Sequence, residues 1–247
     1  MPTQNYTGFL AYFDLLGFSN KITEKDFEEF ERYYKVIDRA VGRYSNINYK
    51  IFSDSVIVYT ESLEDHKFKE LIEALSQIYY QLVVKLSLPL CGAVSCGDFS
   101  IHKINDNLMI SGSPIVDAVN LEGNQNWIGI MISPKVIDRN DNIKELINHQ
   151  LIYKDLKNIE QKELQWGYSH LYVYDKIPLK NDTIIGLCIV PHDDGNRIID
   201  IIHDVDLLRK RLVIMKLSGV TSHVQNKFTN TDKMLEKILN DYSSFLE

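Results

Sequence analysis

Two aspartates each close an apolar run in this chain: Asp14 in Phe9-Leu-Ala-Tyr-Phe-Asp-Leu-Leu-Gly-Phe18, and Asp54 in Tyr49-Lys-Ile-Phe-Ser-Asp-Ser-Val-Ile-Val-Tyr59. An ionised carboxylate among so many apolar side chains is costly unless hydrogen bonds or a cation compensate it. Two such groups brought together repel each other and bind a divalent cation, and all-oxygen donors suit the hard ions Mg2+ and Mn2+. Metal held in this way supports phosphoryl chemistry. It lowers the pKa of an attacking hydroxyl and neutralises charge on a phosphoryl group under attack. The competing account is structural: aspartates cap turns, and Ser53-Asp54-Ser55 is ordinary hairpin chemistry.

The elements that must position the pair follow from periodicity. Residues 7–14 read as a buried strand with Gly17 permitting the turn after it. Phe27, Phe30, Tyr33, Tyr34, Ile37 and Val41 follow helical spacing within 23–42. Runs 47–52 and 55–60 flank the Ser-Asp-Ser turn as a hairpin. A second helix over 64–87 carries Phe68, Leu71, Leu75, Ile78, Leu82 and Leu86 on one face and stops before Pro89. Residues 90–99 form a strand whose glycines admit another backbone or a ligand. The order is β-α-β-β-α-β, so we expect an α+β, ferredoxin-like fold with an antiparallel sheet and two helices on one face. In that order the end of the first strand and the hairpin tip are neighbours, and Asp14 meets Asp54. A helix at 113–123 and a strand at 128–132 complete a core expected over 1–133. Residues 134–247 read as an α/β extension packed on it, with strands at 168–175 and 184–190 and helices at 196–217 and 230–246.

Composition narrows the function classes. The net charge of −7 supplies no basic surplus for a phosphate backbone, which argues against general nucleic-acid binding. Cys91, Cys96 and Cys188 lack metal-ligand spacing and cannot all pair, so a reduced, cytoplasmic protein is expected. No apolar run is long enough to span a membrane, and Met-Pro-Thr-Gln-Asn has no signal-peptide character.

Over residues 7–133 the chain resembles the class III nucleotidyl cyclases. Phe13-Asp-Leu-Leu-Gly-Phe18 is similar to the family's first-strand motif, and Phe52-Ser-Asp-Ser55 to its Gly-Asp hairpin. Cys91-Gly-Ala-Val-Ser-Cys-Gly97 resembles the strand that follows, and Gly112-Ser-Pro-Ile-Val-Asp-Ala-Val-Asn-Leu-Glu122 the family's next helix. The strand ending Ile130-Met-Ile-Ser-Pro134 is also of the family's type. The resemblance implies two divalent metals per site, Mn2+ or Mg2+, held by Asp14, Leu15 and Asp54. It further implies Asp14, Asp54 and Asn120 as catalytic residues, and Lys50, Phe18 and Met109 as substrate contacts. A nucleoside triphosphate is the implied substrate and a head-to-tail homodimer with composite sites the implied assembly.

Departures from the family pattern shape the finer expectation. Val116 and Asn120 stand where the family's helix carries an Asn and an Arg, and Cys91 replaces an arginine that often precedes the strand glycine. Asn124, Gln125, Lys50 and Arg43 are candidates for taking over. Met109 aligns with the acidic residue that reads the adenine amino group and is a poor acceptor, while Lys50 donates to a uracil carbonyl. Lys50 also suits an edge strand, where lysine blocks aggregation. The Asp-Leu-Leu-Gly-Phe variant resembles the bacterial pyrimidine cyclases of the Pycsar antiphage systems, which implies UTP as preferred substrate and a separate effector that reads cyclic UMP. Two other classes stay open: a catalytically degenerate cyclase-like dimer for nucleotide sensing or partner binding, and a palm-like enzyme joining two nucleotides. His203-Asp204 is a weak phosphohydrolase signal. Asp200, Asp204 and Asp206 with Arg209, Lys210 and Arg211 read as a solvated helical face. Trp127 and Trp166 read as core residues. Neither Cys91 nor Cys96 has an evident basic neighbour in sequence.

Overall fold

A computed structural model of the chain describes residues 3–16, 27–104, 107–144, 171–189, 198–217 and 222–243. Its first strand, β1 (Gln4–Leu15), lies in the middle of the sheet and is buried almost without interruption from Phe9 to Leu15. Alternation sets Phe9, Phe13 and Leu15 on one face and Leu10, Tyr12 and Asp14 on the other. Helix α1 (Phe27–Val41) and the hairpin β2 (Ile47–Phe52) and β3 (Ser55–Thr60) follow. Ser53 turns the hairpin with φ at 58°.

Helix α2 (Asp65–Tyr79) buries Phe68, Leu71, Leu75 and Ile78, as its spacing predicts, and the Phe68 ring lies 4.8 Å from that of Phe9. From Tyr80 to Lys85 the helix widens into a π segment that buries Leu82, Val83 and Val84. Full burial of each such side chain is worth roughly 1.5–3 kcal/mol, so the helical pattern in sequence persists although the hydrogen-bond step changes.

Strand β4 (Leu90–Ile104) runs past the predicted end and turns into β5 (Asn107–Gly112), a strand not anticipated from the sequence. At Gly92 an added Cβ would stand 2.4 Å from Phe13 Cβ and 2.6 Å from the Tyr12 carbonyl oxygen. The expected close approach at the strand glycines is therefore that of β1 itself. Gly112, at a φ of 146°, starts helix α3 (Ser113–Asn124), and β6 (Gly129–Ile132) pairs parallel to β4.

The strand order β2-β3-β1-β4 is the ferredoxin-like arrangement, antiparallel throughout, in an α+β fold. The sheet continues beyond residue 133: β8 (Thr183–Ile189) pairs with β6, and β7 (Leu171–Pro178) closes that side. A short helix α4 (Pro134–Arg139), capped by the Ser133 hydroxyl, was not predicted. Helices α5 (Ile198–Leu217) and α6 (Ser222–Ser243) pack on each other, α6 beginning eight residues before its predicted start at 230. Asp204 is buried, which corrects its assignment to a solvated face. Trp127 is in the core as expected, whereas Trp166 lies outside the described residues. All three cysteines are free and buried. No helix among the described residues is long and apolar enough to cross a membrane.

Candidate active site

Strand pairing sets Ser55, Asp14 and Cys91 in one row across β3, β1 and β4, with Gly129 of β6 beside Cys91. Residues directly opposite in a ladder project to the same face. The Ser55 hydroxyl donates to Asp14 Oδ1 at 2.9 Å, and the Tyr12 hydroxyl lies 3.1 Å from Ser55 Oγ. Asp54 sits one residue before Ser55, in the turn. Its carbonyl oxygen accepts from the Leu15 amide at 3.3 Å and from the Tyr33 hydroxyl at 3.2 Å. These bonds fix the backbone of Asp54 and leave its carboxylate half-exposed at the edge of the sheet.

Burial pushes the Asp14 carboxyl above its ordinary range, the Ser55 hydroxyl opposes that rise, and the charge of Asp54 adds to it. The pair expected from sequence is thus brought close enough for the charge of Asp54 to disfavour ionisation of Asp14, a repulsion that a divalent cation would relieve. Among the described residues no three His, Cys, Asp or Glu side chains form a closed metal site. Mg2+ is commonly held by one or two carboxylates plus waters and substrate phosphates rather than by an all-protein cage, and an open two-carboxylate edge fits that chemistry. Leu15, the third residue expected to hold metal, is buried next to both aspartates and gives its amide to Asp54.

Two further charged residues enter the site from outside the predicted set. Glu122, half-buried on α3, is pushed up by burial, is held down in part by Lys227, and is raised again by Asp14. Lys227, on α6, is 4% exposed, and its Nζ donates to Cys91 Sγ at 3.2 Å. Helix α6 is seated there by Thr231, whose hydroxyl oxygen accepts from the Ile128 amide at 2.7 Å, and by Asn230, which donates to the Asn126 carbonyl at 2.9 Å. Cys91 therefore does have a basic neighbour, contrary to the expectation from local sequence. It is not a nucleophile on that account: burial raises its thiol to about 11 despite Lys227, and Sγ donates to the Trp127 carbonyl at 3.0 Å. Tyr12 was legible from strand alternation, two residues before Asp14. Lys227 had no local signal, since more than a hundred residues separate it from the strand it contacts.

The remaining predicted residues lie on separate elements of the chain. Lys50 is on the edge strand β2, opposite Ile57 and partly exposed. Met109 is on β5, opposite His102 and 53% exposed. Asn120 and Val116 share an exposed face of α3, one turn apart. Phe18 and Gly17 lie outside the described residues. Two candidates for replacing the missing family groups are otherwise engaged: Arg43 donates to Gln77 on α2, and buried Gln125 donates to the Trp127 and Gly129 carbonyls.

No family model and no curated protein matches the sequence. Among solved structures, the chain is similar to the adenylyl cyclase CyaB from P. aeruginosa, with a TM-score of 0.48 and 15% identity over 80% of this chain and 98% of that one. It is similar to the guanylyl cyclase Cya2 at a TM-score of 0.48 and 11% identity, covering 77% of this chain and 94% of that one. A dimeric guanylyl cyclase domain of the RhoGC fusion protein from the fungus Blastocladiella emersonii overlaps at a TM-score of 0.45 and 13% identity, covering 55% of this chain and 84% of that one. These are overlaps of overall shape at low identity.

Proposed function

We propose that the protein is a metal-dependent nucleotidyl cyclase that converts a nucleoside triphosphate to a 3′,5′-cyclic nucleotide and pyrophosphate. The observation that carries this is the convergence of Asp14 and Asp54 at one sheet edge, tied together through Ser55 and through the Leu15–Asp54 backbone bond. Divalent metal, when bound there, supplies activation of the 3′-hydroxyl and neutralisation of the triphosphate. The chain's own part is to hold the two carboxylates rigidly: Asp14 by the Ser55 hydroxyl, Asp54 by its anchored backbone. Rigid placement keeps the stabilising groups from reorganising during reaction.

The finer reading is a preference for UTP, with CTP next. It rests on residue types: a methionine at 109 in place of an acidic group, and the Lys50 ammonium as a base donor. It also rests on a homodimer, because Lys50, Met109 and Asn120 are partly or fully exposed on their own chain. A second copy would bring them to the aspartates, with Phe18 as a further substrate contact. On this reading the product serves as an alarm signal in antiphage defence and is read by a separate effector. Residues 1–133 would be the catalytic core, with 134–247 an extension packed on it rather than an independent domain.

The second reading, a cyclase-like dimer that binds nucleotide without turnover, is favoured by Val116 and Asn120 on the α3 face. Loss of a transition-state donor typically lowers rate by ~10²–10³-fold. Incubation with each of the four NTPs and Mn2+, followed by mass spectrometry, separates the readings. Cyclic UMP and pyrophosphate are the expected products. Binding with no product from any NTP would leave the non-catalytic reading, and a dinucleotide product would indicate a palm-like enzyme.

A further inference from the structure

Lys227 brings a buried positive charge to the site, and its field reaches the Glu122 and Asp14 carboxyls, which it holds down in part. It is 4% exposed, and the only partner of its Nζ among the described residues is the Cys91 sulfur at 3.2 Å. No carboxylate lies within ion-pair distance of it among the described residues. The thiol is no counter-ion, because its own proton is committed to the Trp127 carbonyl. A thiol accepts weakly, so the buried ammonium depends on the field of those two carboxyls rather than on a direct partner. Yet α6 is fastened so that it stays there, by Thr231 on the Ile128 amide and Asn230 on the Asn126 carbonyl.

The placement is specific. Cys91 is the cross-strand partner of Asp14, so the ammonium stands one strand away from the carboxylate edge, on the side opposite Ser55 and Asp54. A fixed positive charge beside a metal-binding edge opposes bare divalent cation and favours a cation that arrives with an excess of negative charge. A metal–polyphosphate complex has that property, and a low-dielectric setting lengthens the reach of the field.

We infer that Lys227 is the anion-receiving charge of this site, which selects the polyphosphate-bound metal over the free ion, and that helix α6 is thereby a working part of the active edge. This rests on the proposed nucleotide site at Asp14 and Asp54, and it assigns the recognition of the triphosphate end to a residue of the C-terminal segment. Lys227 acts as a positioning residue through its field.

The test compares the wild type with Lys227→Met, which keeps the volume of the side chain and removes its charge. Calorimetry would measure binding of Mn2+ alone and of inorganic pyrophosphate at saturating Mn2+. The expected result is opposite movement: pyrophosphate affinity falls about tenfold or more, while Mn2+ affinity stays equal or rises. Equal pyrophosphate affinity in the two proteins would overturn the inference, as would a parallel loss of both affinities. Lys227→Gln, which keeps a donor without the charge, is the second variant, and it should behave like Lys227→Met. If neither variant folds, the ammonium is structural and the inference falls. Wild-type turnover with the four NTPs is run beside these measurements. Absence of product with Lys227-dependent pyrophosphate binding would defeat the cyclase reading alone, and product without that dependence would defeat this inference alone.

Discussion

The Leu15 amide donates to the Asp54 carbonyl oxygen at 3.3 Å, so the residue after one aspartate holds the backbone of the other. The hairpin turn is thereby fastened to the end of β1, and the Tyr33 hydroxyl secures the same carbonyl from α1. The carboxylate of Asp54 takes no part in this anchoring.

Asp54→Ala should therefore leave the fold intact while removing activity. The expected loss of metal-dependent pyrophosphate release is more than about 10²-fold, in the range found when a group that stabilises the transition state is removed. Circular dichroism and thermal melting check the fold. A folded variant with full activity would end the proposed mechanism.

Metal binding can be read without turnover. Anything that binds only the native state raises the melting temperature by mass action, so Mn2+ should stabilise the wild type in a concentration-dependent way. Asp14→Asn keeps an acceptor for Ser55 and removes a charge that burial already disfavours. The variant should melt higher than the wild type without metal at neutral pH and show little response to Mn2+. Equal Mn2+ responses in the two proteins would place the metal elsewhere.

Glu122 gives a pH signature. Burial raises its carboxyl above the ordinary value of 4.5, with Lys227 opposing in part and Asp14 adding to the rise. Between the ordinary and the raised value the folded chain binds this proton more tightly than the unfolded chain. The contribution to stability is therefore fully present below 4.5 and is lost as pH rises through the folded value. Glu122→Gln removes that loss. Its melting temperature should exceed that of the wild type at pH about 8, and the difference should shrink toward pH about 4. A difference that grows on acidification would reverse the assigned cause.

Base choice tests the finer reading. A site built on a polar contact rejects the wrong base by orders of magnitude, because buried groups are left unpaired. Lys50→Ala should lower the ratio of UTP to ATP turnover as well as the rate. A wild type that consumes ATP fastest would keep the cyclase and remove the pyrimidine preference.

The composite site has its own test. Asp14→Ala protein mixed with protein inactivated at Lys50 or Asn120 should recover about a quarter to a half of wild-type activity per dimer by symmetry. No recovery, with subunit exchange verified, would place the whole site within one chain.

The sequence by itself determined the core arrangement, because it rests on local patterns. Strand alternation, helical spacing at Phe68, Leu71, Leu75 and Ile78, and the Ser53-Asp54-Ser55 turn are each set by neighbouring residues. A βαββαβ order then leaves few ways to stack the strands, and the meeting of Asp14 with Asp54 follows. The β4–β5 hairpin was less legible, since β4 runs far beyond its apolar stretch and is held by pairing with β5 rather than by pattern. Only the tertiary structure decided that Glu122 and Lys227 belong to the site. A half-buried glutamate on a helix and a lysine in a polar helix have no local mark of burial. Their electrostatic character comes from what packs over them: Lys227 lies against Cys91 because Asn230 and Thr231 dock α6 on the segment before β6. That long-range contact turns an ordinary lysine into a buried charge one strand from Asp14.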